Sequence, residues 1–173
     1  MSDAVTPIHG RAVAALAELL DAGSLMALGV NRPDGWPQVT TVGYANEGLT
    51  LYFVIARESQ KFANLQLDPR VSAAIRVEGA AGDGVGVSLA GRAMEVTDPA
   101  EVQRLNDLVL RRYSGARSFN PGSASVAVMR LRPEILAPVA AMDGRSHAQT
   151  YAIGPDGGPP AQPGPGPSVS RLF

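Results

Sequence analysis

The chain has 173 residues, 45% of them hydrophobic, which suits one globular domain whose single core buries roughly 70% of the unfolded surface. Its 15 basic and 16 acidic side chains leave a formal charge of −1, so no overall field draws it to nucleic acid or to an anionic membrane. Cysteine is absent, which excludes disulfides, thiolate metal sites, iron–sulfur clusters and a cysteine nucleophile, so redox chemistry would need a borrowed cofactor.

Met1 to Val5 carries no basic leader before an apolar run, and no apolar stretch approaches the roughly 20 residues that span a bilayer, so a cytoplasmic, membrane-free protein is expected. From Gly10 to Ala22, Val13, Leu16, Leu19 and Leu20 share one helical face, and Gly23 offers a left-handed stop. His9 before this helix and His147 far downstream have no partner at metal-ligand spacing, and no zinc site is expected. Leu25 to Val30 reads as a strand ended by the turn cluster Asn31-Arg32-Pro33-Asp34-Gly35. Trp36, in that turn, reads as an interface or packing residue.

Gln38 to Ala45 is rich in Val, Thr and Tyr, and Asn46-Glu47-Gly48 turns it into Leu49 to Ala56, so these two strands are expected to form a hairpin. Ser59 can cap a short helix through Leu67, which Asp68-Pro69 ends because a residue before proline avoids the α region. Val71, Ala73, Ile75 and Val77 alternate with polar or small residues along a half-buried strand. After a Gly79 to Gly84 loop comes a long strand from Val85 to Val96, where Gly86 and Gly91 suggest bends or close backbone approach.

Asp98-Pro99-Ala100-Glu101 combines an acidic cap, a proline where no N–H is needed and a glutamate at the capping-box position. The helix it starts runs to about Tyr113, with Val102, Leu105, Val109 and Tyr113 as its buried stripe and Ser114-Gly115 as its stop. Two strands, Ser125 to Leu131 and Ile135 to Ala140, are expected around Arg132-Pro133, and Ala148 to Ile153 can add another. Residues 1–153 thus read as one domain, and 154–173 as a Pro/Gly-rich flexible tail. Short strands joined by tight turns favour an antiparallel Greek-key barrel, a mainly β fold with few helices, over a parallel doubly wound sheet.

The densest chemistry lies at Arg57-Glu58-Ser59-Gln60-Lys61, where a helix mouth offers unpaired N–H groups, Ser59 a hydroxyl, and Lys61 and Arg57 full charges. Such a set can cradle a phosphate; the same residues also describe a capped helix with surface cations. Gly82 to Gly86 does not complete a dinucleotide-binding glycine motif, and Ser88 lacks the flanking glycine of a nucleophile elbow.

The wider pattern, Ser59-x-Lys61-x-x-Asn64-Leu65, then Asp68-Pro69-Arg70-Val71-Ser72, then Gly91-Arg92-Ala93, resembles the pyridoxamine 5′-phosphate oxidase-like FMN-binding split barrels over roughly residues 12 to 140. The resemblance implies that Ser59 and Lys61, with Gln60 between them and Arg57 beside them, hold the FMN phosphate. It implies that Val54 and Ile55 lie along the flavin, and that Val39, Thr40 and Thr41, in the hairpin partner Gln38 to Val42, approach the ring. FMN would then sit between two subunits of a homodimer and serve an oxidoreductase acting on a small molecule, with Arg145 and His147 as candidates to reach across the interface.

The vitamin-forming members carry an Arg and a Lys where this chain has Pro37-Gln38-Val39-Thr40-Thr41-Val42, and a glutamine where it has Gly86, so that activity itself is not expected. Arg171 in the final Ser170-Arg171-Leu172-Phe173 faintly matches their substrate-binding terminus. The alternatives are a reductase using the deazaflavin F-420, and a non-enzymatic flavin or haem carrier or stress protein. A shortage of axial ligands counts against haem.

Overall fold

The computed structural model describes residues 5–78, 84–113, 124–142 and 145–154. In chain order its elements are β1 (Thr6–Pro7), α1 (Gly10–Ala22), β2 (Leu25–Asn31), β3 (Pro37–Gly43), β4 (Ala45–Glu47), β5 (Thr50–Ala56), α2 (Gln60–Leu67), β6 (Arg70–Glu78), β7 (Gly84–Glu95), α3 (Pro99–Arg112), β8 (Val126–Met142), β9 (Arg145–Ala148) and β10 (Tyr151–Ala152). The predicted helices stand where expected.

One sheet runs β3-β2-β6-β7-β8, and β8 shares its second edge among β5, β10 and β9. Every pairing is antiparallel except the short β1–β10 contact, which the sequence did not suggest. The sheet curls until its ends approach, and β3 comes to lie against β5 with no ladder between them. That unzipped seam is the split of a split barrel. Its interior holds Leu28, Ala73, Ile75, Val87, Leu89, Leu51, Phe53 and Leu131, with α1 adding Leu16 and Leu20. A smaller cluster of Tyr52, Val96, Val102, Leu105 and Val128 forms where α3 covers the outside of β5 and β8.

Several expectations need correction. The segment Gln38 to Val42 is not the hairpin partner of Leu49 to Ala56; β3 pairs with β2, and only the three-residue β4 pairs with β5. The break falls at Tyr44, which sinks into the core and whose amide returns to Ser24 O at 3.1 Å, so the chain turns a barrel corner there. The two strands expected around Arg132-Pro133 are one, β8: Pro133 sits opposite Gly91, and a register shift between Ala90 and Gly91 absorbs the proline.

Gly23 is extended (φ −92°), not left-handed; it is needed for space, since a Cβ there would lie 2.5 Å from the Tyr44 hydroxyl. Asp98 caps α3 through Ala100 N at 3.1 Å, but Glu101 turns outward to hold Arg130 by two 2.9 Å bonds instead of closing a capping box. The Ala148 to Ile153 strand is reduced to the ends of β9 and β10. The Gly79 to Gly84 loop up to 83, the Ser114-Gly115 stop and the Pro/Gly tail beyond Gly154 lie outside the described residues.

Candidate functional site

Three segments named from sequence converge at the split: β3, the end of β5 and the mouth of α2. Arg57 N bonds Ser125 O at 3.0 Å, which ties the end of β5 to the start of β8. Asn64, fully buried in α2, accepts from Gln60 Nε2 at 3.0 Å and donates to Gln38 Oε1 on β3 at 3.2 Å. This amide relay fixes the distance between helix and edge strand. Replacing Asn64 with leucine, of similar size, strips both glutamines of a partner; a loss of about 2 kcal/mol in urea unfolding is expected, and unchanged stability would show that the relay carries none of it.

Ser59 has the extended backbone of an N-cap; its Oγ accepts from Phe62 N at 3.2 Å and donates to Ala56 O at 2.6 Å. Ala63 N bonds Ser59 O at 3.2 Å, so among the first-turn amides those of Gln60 and Lys61 remain for an outside acceptor. Lys61 is half-buried and, among the described residues, has no carboxylate partner. Burial pulls its ammonium below the usual lysine pKa. The fold thus disfavours the charged form, and an anion beside it would offset the penalty.

Arg57, expected beside the phosphate, is also engaged within the fold. Its guanidinium pairs with Glu95 of β7 and lies over the Phe62 ring at 5.5 Å, so a carboxylate already matches its charge. The Gln60 side chain is spent on Asn64, leaving its backbone as the group that can face a ligand.

Along β3, Gln38, Thr40 and Val42 point inward, while Val39, 64% exposed, and Thr41 point out. Thr40 Oγ1 is buried with no hydrogen-bond partner. On β5, Val54 turns to the α3 side and Ile55 into the main core, so only backbone at Ile55 can border a ligand in the seam. Beyond Tyr52 the β5 ladder runs only to β8, which leaves the edge facing β3 open.

At the far end of the seam lies a cleft of ≈ 440 Å³ with walls from Leu25, Tyr44, Phe53, Val54 and Tyr113. Tyr44 donates to Leu20 O at 2.6 Å inside its wall, and burial pushes that phenol up to about 12. Arg145 stands opposite Met142 in the β8–β9 ladder, but its side chain and that of His147 lie outside the described residues, as does Arg171.

The site therefore offers two free amides and an unmatched ammonium at one point, an orphaned hydroxyl on the facing strand, open strand edges and an apolar cleft. Free amides beside a cation suit a phosphate, and the cleft suits an apolar body. The family model described as pyridoxamine 5′-phosphate oxidase matches residues 12–140. The chain belongs to the pyridoxamine 5′-phosphate oxidase family.

The family match runs from α1 into the second half of β8 and takes in the candidate residues from Val39 to Lys61, while Arg145, His147 and Arg171 lie beyond it. Among curated proteins nothing matches significantly. Of solved structures, a heme binding protein from Mycobacterium smegmatis is similar at 22% identity and TM-score 0.68 over 83% of this chain; the chain spans 59% of that protein. A FAD-binding protein from Mesorhizobium loti is 23% identical, TM-score 0.60, over 72% of this chain and 91% of its own. HutZ, the heme storage protein from Vibrio cholerae, is 15% identical, TM-score 0.59, over 70% and 89%. These likenesses show the fold. Among the described residues no helix is long and apolar enough to cross a membrane, and no group of three metal-ligating side chains occurs.

What sequence reading missed is the pairing around the site. Glu95 as the partner of Arg57, and Asn64 as the bridge to Gln38, link residues 38 and 26 positions apart, and nothing local signals either.

Proposed function

We propose that the chain binds FMN in the seam between β3 and β5 and serves as an FMN-dependent oxidoreductase. The observation that carries this reading is the half-buried, unpaired Lys61 beside the two free amides at the mouth of α2. When bound, FMN supplies hydride or electron transfer. The Gln60 and Lys61 amides and the Lys61 ammonium hold the phosphate, the β3 backbone borders the ring, and the apolar cleft with Val54 in its wall keeps water from it. Arg57 positions: clamped by Glu95 and Phe62, it fixes the approach to α2.

A homodimer belongs to this proposal. The outer sheet face carries cross-strand rows of small uncharged residues, Thr41, Ala27, Ala74, Ser88 and, beside them, Gly29, Ser72 and Ala90, bordered by exposed Leu25 and Val39. An uncharged face of small residues suits a second copy. Trp36, 74% exposed, lies in the turn between β2 and β3 at the end of this face and is free to meet a second copy.

The first test is a visible spectrum of the purified protein, followed by FMN titration. Lys61→Ala is expected to weaken FMN by about 1.5–3 kcal/mol with the fold intact, because a charge-assisted bond is lost. Equal affinity in the variant would remove Lys61 from the site. Bleaching of the bound flavin by NADH or NADPH supports an oxidoreductase; a flavin that no reductant bleaches supports a carrier. A released deazaflavin in place of FMN would change the cofactor to F-420. The haem reading rests on the two similar heme proteins; on this chain His9 is exposed ahead of α1, and a Soret band in the spectrum would favour haem.

A further inference from the structure

A second concavity, of ≈ 360 Å³, shares no residue with the candidate flavin site. It occupies the notch on the second edge of β8 between its pairing with β5, which ends at Leu131, and its pairing with β10, which begins at Ile135. Arg92, Arg130 and Arg132 reach it from two neighbouring strands, and Leu49, Met94 and Ile153 supply apolar wall. Arg92 and Arg132 are direct cross-strand partners, and Met94 faces Arg130 two pairs further on, on the same face. Two like charges directly opposed on one sheet face cost stability unless something lies between them.

The carboxylates nearby do not balance the set. Glu134 bonds Arg92 Nε at 2.9 Å, and Glu101 holds Arg130. Among the described residues Arg132 has no ion-pair partner. Met94, 55% exposed, is an apolar side chain left at the mouth. One unmatched planar guanidinium, a second that a weak exposed pair can release, and an apolar floor form a site for an anion with a hydrophobic body.

We propose that this notch binds a small organic anion, a carboxylate or phosphate ester carrying a compact apolar group, separately from the cofactor. Arg132 makes the primary contact and Arg92 the second, released from Glu134 on binding. Leu49, Met94 and Ile153 cover the apolar part.

The test is calorimetric titration of the purified full chain with 1-naphthyl phosphate and with 1-naphthoate, each with and without saturating FMN. At least one probe is expected to bind at one per chain, unaffected by FMN; the stronger of the two identifies the anion class. Arg132→Ala should weaken it at least about tenfold, and Arg132→Lys by less, since the fork but not the charge is lost. Glu134→Gln should tighten it severalfold by freeing Arg92, a gain that mere destabilisation cannot mimic. Failure of both probes to bind, competition with FMN, or unchanged affinity in Arg132→Ala would each overturn the proposal.

Discussion

Gly91→Ala is expected to cost about 3 kcal/mol or more in urea unfolding, near the upper end of what overpacking does. A Cβ at this position would lie 2.2 Å from Arg132 O and 2.8 Å from Pro133 Cα, both backbone atoms of the facing strand. Nothing flexible can yield, so β7 and β8 must separate at the bulge that seats Pro133. The ladders β8 makes with β5 and β10 start on either side of that point, and both should loosen. Gly86→Ala is the control: its Cβ would sit 3.0 Å from Ile75 O, a crowding that a shift of a few tenths of an ångström relieves, and a loss of about 1 kcal/mol is expected. Equal stability of the Gly91 variant and the parent would mean the bulge can move, and the account of β8 as one strand pinned by glycine would fail.

Arg112→Ala should be nearly as costly, about 3 kcal/mol by thermal or denaturant unfolding, because several acceptors lose one donor at once. From the last turn of α3 its guanidinium bonds Leu20 O at 3.2 Å, Asp21 O at 2.6 Å and Gly23 O at 2.7 Å, which are carbonyls at the end of α1. Its other nitrogen bonds Asn46 Oδ1 at 2.6 Å, and the plane rests against the rings of Tyr44 and Tyr113. One side chain thus fastens the end of α1, the barrel corner and α3. Arg112→Lys should recover little, since an ammonium cannot present a planar fork to carbonyls on both sides. Parent-like stability in the lysine variant would show that charge alone suffices.

Helix α2 illustrates what is legible in the amino-acid sequence. Its capping serine, its stop at Asp68-Pro69 and its eight-residue length all follow from contiguous residues, and the structure has them as read. The same holds for α1, for the proline-started α3 and for the inward row Val71, Ala73, Ile75 on β6. The candidate cradle was legible for this reason too, since a helix mouth and the residues on it are neighbours in sequence. Its electrostatics were not: Arg57 and Lys61 look alike on paper, and only the arrival of Glu95 from β7 distinguishes a neutralised cation from a free one.

What the amino-acid order determined alone is where the helices begin and end, the strand periodicity and the motif of the pyridoxamine 5′-phosphate oxidase family, all set by residues a few positions apart. Which strand pairs with which was decided only by closure of the barrel. Gln38 to Val42 pairs with β2 across the turn that follows Asn31, and the chain leaves that ladder at the corner where Tyr44 is buried. The seam that results, the orphaned Thr40 hydroxyl inside it and the opposed arginines of the β8 notch exist because segments distant in the chain were brought together; backbone hydrogen bonding is indifferent to partner, and side-chain packing of the whole core selects among the options.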